Sequence, residues 1–273
     1  MKNPKKILIA NRGVIAIRAL RAAKELGYQV ASVYSTIDKE QKHLKLSDEA
    51  ICIGPAEAKD SYLNEAAIIA AAELVGADAI YPGYGFLAEN PSFAEKCNQS
   101  GFKFVGPDSE VIEIMGDKIR AKELIESLGV PVVPGYTGDI KDQEHIEGIV
   151  EEIGYPVIVK ASAGGGGKGM RVVQNKGELW DSVVSAQNEA EFAFGNGEVF
   201  IEKYLKKPRH IEVQVFGDGK GKVVHLYSRD CSLQRRYQKI VEEAPAKNLP
   251  EDKLSNIQEI CVKACSELKY EGA

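Results

Sequence analysis

The sequence predicts an α/β domain built on a doubly wound parallel sheet, followed by a second domain of mixed α+β character. Two observations carry that reading. Between residue 5 and about residue 106, short β-branched runs alternate with helical ones. Further on, "KASAGGGGKGMRVV" (160–173) places five glycines in six positions between two apolar strand-like runs.

The first domain reads element by element. "KILIA" (6–10) is a strand and "VIAIRALRAAKELG" (14–27) a helix closed by Gly27. "YQVASVYS" (28–35) is a second strand, "SYLNEAAIIAAAELVG" (61–76) a helix and "ADAIYPG" (77–83) a third strand. A helix near 91–100 leads to the strand "FKFVG" (102–106). Strand–helix alternation of this kind builds a parallel sheet covered on both faces. It is not a dinucleotide-binding domain. The first turn, "ANRGVIAIR", has one glycine where that fingerprint has three, and "SVYST" ends the second strand in hydroxyls rather than an acid.

A helical connector (109–129) and the proline-rich turn "VPVVPGYTG" (130–138) mark a boundary. A helix at 141–153, the strand "YPVIVK", the glycine loop, a helix near 177–194 and the strand "EVFIEKYL" (198–205) follow. "HIEVQVF" (210–216) and "KVVHLYS" (222–228) read as hairpin arms joined by "GDGKG". The last helix, 251–268, carries Leu254, Ile257, Cys261, Ala264 and Leu268 at helical spacing, which predicts a core-facing stripe with Cys261 and Cys265 as core thiols.

Composition narrows the function. With 273 residues and 44% apolar content the chain can bury a full core, as two domains. A net charge of −5 and a pI near 5.6 oppose nucleic acid or an anionic membrane as the main partner. No apolar run approaches the roughly 20 residues of a membrane span. "MKNPKKILIANRG" lacks a signal-peptide core, so a cytoplasmic location is expected. Five cysteines without a C-x-x-C pair read as reduced thiols.

A glycine loop after a strand lays backbone N–H groups on phosphate oxygens. Met170 stands where a P-loop has Ser or Thr, and "MRVV" continues as a strand, so this loop is a hairpin tip able to fold over a nucleotide. Lys160 ends the strand before it and Lys118 lies in "MGDK"; each ammonium can meet a phosphate. On "RHIEVQV", alternation puts His210, Glu212 and Gln214 on one face, a pattern that a solvent-exposed strand also shows. The four histidines have no zinc spacing, and no metal ligands are assigned. "SRDCSLQRRYQKIVEEAP" (228–245) packs Arg229, Arg235, Arg236 and Lys239 beside Glu242 and Glu243, which suggests an anion site.

"IANRGVIAIR", "YPGYGFLAEN", "GDK", "KASAGGGGKGMR", "EKYL", "PRHIEVQV" and "RDCSLQRRYQKIVEEAPA", in this order, resemble biotin carboxylase, the ATP-grasp component of acetyl-CoA, propionyl-CoA, pyruvate and related carboxylases. The resemblance implies a pre-ATP-grasp, Rossmann-like domain over 1–112. An ATP-grasp domain would occupy 113–273: a connector (113–134), a lid subdomain (135–205) and the start of a C-terminal subdomain (206–273). It implies ATP-dependent carboxylation of biotin by bicarbonate through carboxyphosphate, serving fatty acid biosynthesis or pyruvate or acyl-CoA carboxylation. Lys118, Lys160, Gly166 and Gly167 resemble the phosphate-binding set. Glu202, Lys203, Tyr204 and Leu205 match the adenine segment, largely through backbone groups. His210 and Gln234 match residues near the ribose, Tyr237 another nucleotide-contacting position, and Lys239 the bicarbonate lysine, with Glu212 beside it. The implied partners are a biotin carboxyl carrier protein, a carboxyltransferase component and a second copy docked through Arg18, Arg21 and Glu25. Val14 stands where a glutamate is usual and Tyr237 where a histidine is common. The family continues beyond "LKYEGA" into the Mg2+ ligands, so the chain by itself is expected to be catalytically incomplete. The alternatives are a nucleotide- or partner-binding piece without catalysis, or another ATP-grasp ligase.

Overall fold

The computed structural model describes residues 5–162, 169–235 and 238–273, with the backbone but not the side chain of Lys118. The chain forms two compact units. The first ends at Glu113 and takes in Gly217–Lys220 and Lys269–Ala273; the second comprises Ile114–Phe216 and Gly221–Leu268.

The first unit runs β1 (Lys6–Ile9), α1 (Gly13–Glu25), β2 (Gln29–Ser35), α2 (Lys42–Leu46), β3 (Glu49–Gly54), α3 (Glu65–Val75), β4 (Ala79–Tyr81), α4 (Pro91–Gln99) and β5 (Lys103–Phe104). Its strands form one sheet, β3-β2-β1-β4-β5, parallel at every pairing. The doubly wound parallel sheet expected from the alternation is the one observed. Strand alternation explains the two covered faces. Leu8, Ala31, Val33 and Ile80 pack with Ile68 and Ala72 of α3 and Phe93 and Cys97 of α4. Ile9 and Val30 point the other way, against Ala16, Leu20 and Ala23 of α1.

Helix ends follow cap chemistry. The Asn64 side chain accepts from Ala67 N–H and the Asn90 side chain from Phe93 N–H, with Pro91 in the first turn. At the carboxyl ends of the central strands, the buried Asn11 amide donates to Pro82 O (2.7 Å) and Tyr84 O (2.9 Å), joining the turn after β1 to the loop after β4. Gly83 must be glycine there: its φ is +71°, and a Cβ would meet Ile15 Cγ2 at 2.6 Å.

The sequence reading left α2 and β3 unassigned. β3 is an edge strand of which only Ile53 is buried, so it lacks the apolar alternation that marks its neighbours. The connector also differs. It is not one helical stretch but two helices, α5 (Ser109–Gly116) and α6 (Lys118–Ser127), broken at Asp117. The Asp117 carboxylate accepts from Ile119 N–H (2.9 Å) and Arg120 N–H (3.1 Å), starting α6 with Lys118 at its first position.

The second unit continues with β6 (Gly135–Tyr136), α7 (Gln143–Ile153), β7 (Val157–Ala161), β8 (Arg171–Val173), α8 (Leu179–Phe194) and β9 (Val199–Lys203). These strands form an antiparallel sheet, β6-β9-β7-β8. Val157, Val159, Val199 and Ile201 face Ile146 and Val150 of α7 and Leu179 and Val183 of α8. Lys160, Phe200 and Glu202 therefore lie on the opposite face.

The chain ends with β10 (Ile211–Asp218), β11 (Val223–Arg235), β12 (Gln238–Glu243), α9 (Glu251–Glu267) and β13 (Glu271–Gly272), the strands in the order β12-β11-β10-β13. The second hairpin arm does not stop at residue 228. It runs to Arg235 and pairs with β12, so the charged stretch is itself a strand pair, with register shifts between Asp230 and Gln234. The predicted stripe on α9 is rotated: Gln258 and Ala264 are buried, Ile257 is exposed, and Cys261 and Cys265 are half-buried rather than core. The helix is laid against β11, and that contact rather than its apolar spacing sets the buried face.

Because Asp117 satisfies two otherwise open N–H groups, Asp117→Ala is expected to destabilise the second unit by about 1 kcal/mol. Urea unfolding followed by far-UV circular dichroism checks this, with Asp117→Asn keeping most of the stability that Asp117→Ala loses.

Candidate functional site

Two charged constellations occupy the second unit, each arranged around one carboxylate. The first lies on the sheet face away from α7 and α8. The register sets Lys160 opposite Phe200 and Ile158 opposite Glu202, so Lys160 and Glu202 meet on a diagonal of one face. Lys160 Nζ donates to Glu202 Oε2 at 2.7 Å and lies 5.9 Å from the Phe200 ring centre. Lys122, from α6, donates to Glu202 Oε1 at 3.0 Å and to Val133 O at 2.7 Å. Together with Val132 these residues line a cavity of about 310 Å³. Burial pushes the Glu202 carboxyl up, but the Lys160 and Lys122 ammoniums outweigh it and hold the group below its ordinary value.

Lys203 alternates to the other face. Its ammonium donates to Gly154 O (2.8 Å) and Tyr155 O (2.9 Å) and so anchors the end of α7. Its backbone N–H donates to Pro134 O and that of Tyr204 to Pro156 O, while Leu205 is exposed. The cavity thus gathers Lys160 and Glu202 but not the Lys203 side chain. Gly166, Gly167, Tyr237 and the Lys118 side chain lie outside the described residues.

The second constellation centres on Glu212. Strand alternation carries His210 and Glu212 to one side, and β12 brings Lys239 opposite Gln234. Lys239 Nζ binds Glu212 Oε1, and Arg229 Nη2 donates to Glu212 Oε2 at 3.0 Å. Arg229 Nη1 donates to Glu242 at 3.1 Å. The Gln234 amide donates to His210 Nδ1 (2.7 Å) and Cys231 O (2.9 Å). With Nδ1 accepting, His210 presents an Nε2–H to Glu212 Oε1 at 3.3 Å. His210 N–H also donates to Ser232 Oγ, whose hydroxyl donates to Asp230, itself paired with Arg209.

Burial would raise the Glu212 carboxyl. Lys239, the Cys231 thiol and Arg229 override that and hold it below its ordinary value. The Glu212 contact in turn raises Lys239, which keeps its ammonium charged. The buried Cys231 thiol is pushed up by burial and by Glu212, a poor setting for a thiolate nucleophile. The structure therefore brings His210, Glu212, Gln234 and Lys239 together. Among the described residues, no group of three His, Cys, Asp or Glu side chains could hold a metal ion. Within them, too, no helix is long and apolar enough to cross a membrane.

The sequence reading missed Lys122. A faint signal existed, since it follows Lys118 by four residues and so shares its helix face. Arg229 belongs to the charged stretch of the sequence, but its link to Glu212 depends on the β11 register.

Residues 3–112 match the family model described as biotin carboxylase, N-terminal domain, and residues 117–273 that of the carbamoyl-phosphate synthase L chain, ATP binding domain. The chain belongs to the biotin carboxylase family. It is 56% identical to a biotin carboxylase of Pseudomonas aeruginosa over 98% of this chain and 60% of that protein. To the 2-oxoglutarate carboxylase small subunit of Hydrogenobacter thermophilus it is 51% identical, over 98% of this chain and 57% of that one. Among solved structures, a Campylobacter jejuni biotin carboxylase in a β,γ-ATP complex superposes with a TM-score of 0.95 at 52% identity, covering 99% of this chain and 60% of that one. The biotin carboxylase domain dimer of the Hydrogenobacter 2-oxoglutarate carboxylase, in complex with MgADP, ADP and bicarbonate, gives 0.93 at 50% identity, covering 99% and 60%. The chain thus spans about 60% of the length of the biotin carboxylases it matches. The family resemblance drawn from the motifs holds.

The depressed Glu202 carboxyl carries a pH signature. Its contribution to stability is present above the ordinary carboxylate value of 4.5 and is lost as pH falls through the lower folded value. Glu202→Gln should flatten that acid limb. Melting temperatures taken from neutrality down to about pH 3 check it.

Proposed function

We propose that this chain forms the nucleotide- and bicarbonate-handling part of an ATP-dependent biotin carboxylase. On this reading residues 1–112 are the N-terminal domain and 113–273 belong to the ATP-grasp domain, with a connector (113–134), a lid subdomain (135–205) and a C-terminal subdomain beginning at 206. Lys118 and Lys160 neutralise the ATP phosphates, and the backbone N–H groups of Gly166 and Gly167 donate to them. The backbone of Glu202, Lys203, Tyr204 and Leu205 receives adenine, His210 and Gln234 border the ribose, and Tyr237 makes another nucleotide contact. Lys239 holds bicarbonate, and Glu212 keeps that ammonium charged and aimed.

The observation that carries the proposal is the Glu212 constellation. Lys239 and Arg229 balance Glu212 and Glu242, so a small anion entering beside Lys239 meets a cation already fixed in place. Such preorganised charge costs no reorganisation when the reaction occurs. A bicarbonate oxygen attacks the terminal phosphorus of ATP and the bond to the bridging oxygen breaks, giving ADP and carboxyphosphate. Carboxyphosphate breaks into CO2 and inorganic phosphate, the phosphate takes the N1 proton of biotin, and N1 attacks the CO2 carbon. Magnesium, biotin on its carrier protein and a carboxyltransferase component complete this reading. So does a second copy docked on α1, where Val14, Arg18, Arg21 and Glu25 form one exposed stripe. The reading sets the reaction in the cytoplasm, in fatty acid biosynthesis or in pyruvate or acyl-CoA carboxylation.

Two substitutions separate the roles. In calorimetric titration of the 273-residue chain, Lys160→Met is expected to weaken ATP more than about tenfold, as loss of a charge-assisted contact of about 1.5–3 kcal/mol implies. In bicarbonate-dependent ATP cleavage by the whole carboxylase, Lys239→Gln should lower kcat/KM for bicarbonate on the order of a hundredfold and leave the ATP KM nearly unchanged. A tenfold rise in the ATP KM with unaltered bicarbonate kinetics contradicts the assignment.

A further inference from the structure

The two lysines on Glu202 are not equivalent. Lys160 reaches the carboxylate by one hydrogen bond, and 29% of its side chain is exposed. Lys122 has 17% of its side chain exposed and is tied a second time, to Val133 O. The Glu202 side chain between them is only 12% exposed. A buried carboxylate that loses one of its counterions stays stable only if another remains.

The polyphosphate of a nucleoside triphosphate competes with Glu202 for Lys160, because one ammonium cannot serve both acceptors at full strength. When Lys160 turns to the phosphates, Glu202 needs a resident cation. We propose that Lys122 is a positioning residue, the fixed counterion that keeps Glu202 neutralised while Lys160 leaves it for the phosphates of a bound nucleotide. The inference rests on the nucleotide reading of this cavity. It adds a residue that none of the recognised motifs contains, and it divides the labour: one lysine moves, the other stays.

The coupling has a signature that simple structural support lacks. It depends on the ligand's phosphates, and it vanishes when Glu202 carries no charge. Binding of ATP and of adenosine is measured calorimetrically on the 273-residue chain and on its Lys122→Met, Lys122→Gln, Lys122→Arg, Glu202→Gln and double Lys122→Met/Glu202→Gln variants. The glutamine keeps a donor for Val133 O without the charge, so the comparison survives if the methionine variant does not fold. ATP affinity should fall more than about tenfold in Lys122→Met and Lys122→Gln, while adenosine changes less than about threefold. Lys122→Arg should restore most of the loss. In the Glu202→Gln background the Lys122 substitution should cost less than about threefold. ATP affinity unchanged in Lys122→Gln overturns the inference, and so does a parallel loss for ATP and adenosine that Glu202→Gln does not relieve. Failure of the unaltered chain to bind ATP overturns the nucleotide reading itself. Unaltered binding with an indifferent Lys122 overturns this inference alone.

Discussion

The antiparallel register of β7 with β9 is the constraint on which the proposed nucleotide site depends. Pairing Val157 with Lys203 and Lys160 with Phe200 sends four valine and isoleucine side chains into the helices and leaves Lys160, Phe200 and Glu202 on the other face. A slip of one residue would exchange the two sets and bury a lysine and a glutamate beneath α7 and α8. The apolar packing on one face therefore enforces the charge arrangement on the other. α6, started by Asp117, then delivers Lys122 to the same carboxylate.

Both constellations solve the same electrostatic problem. A carboxylate partly removed from water is raised by desolvation, and in each case paired cations reverse the shift. The result is two sites in which cations are already ordered and charged, as binding an oxyanion or a polyphosphate requires. The Glu202 site is the better shielded; at Glu212 the Lys239 and Arg229 side chains are 36% exposed, and solvent screens more of the gain. At Glu212 the order extends outward, through Gln234 on the His210 ring and through Ser232 and Asp230 on the His210 backbone.

What could be read in the sequence followed from how regular each pattern was. The parallel sheet was legible because its strands are buried on both faces and its helices alternate with them. β3 was not, since an edge strand with one buried side chain has no pattern to show. Asp117 was in plain view as cap chemistry inside "MGDK", yet the surrounding apolar spacing suggested an uninterrupted connector. The β11–β12 pair hid behind its charge: all six residues of β12 are exposed, so no alternation marks it as a strand. His210, Glu212 and Lys239 could be named from motifs, but their meeting point depends on that pairing. Lys122 belongs to none of the motifs. A long-range contact 80 residues away in sequence identifies it.

On the proposed reading, the face of β7 and β9 turned away from the helices receives the nucleotide. Methyl NMR of the 273-residue chain titrated with ATP tests it most directly. The account predicts saturable shifts at Val132, Val133 and Ile158, around the cavity, with Val150 and Val183 of the helix-covered core unmoved. Shifts confined to the core methyls, or no saturable change at the cavity, would contradict it.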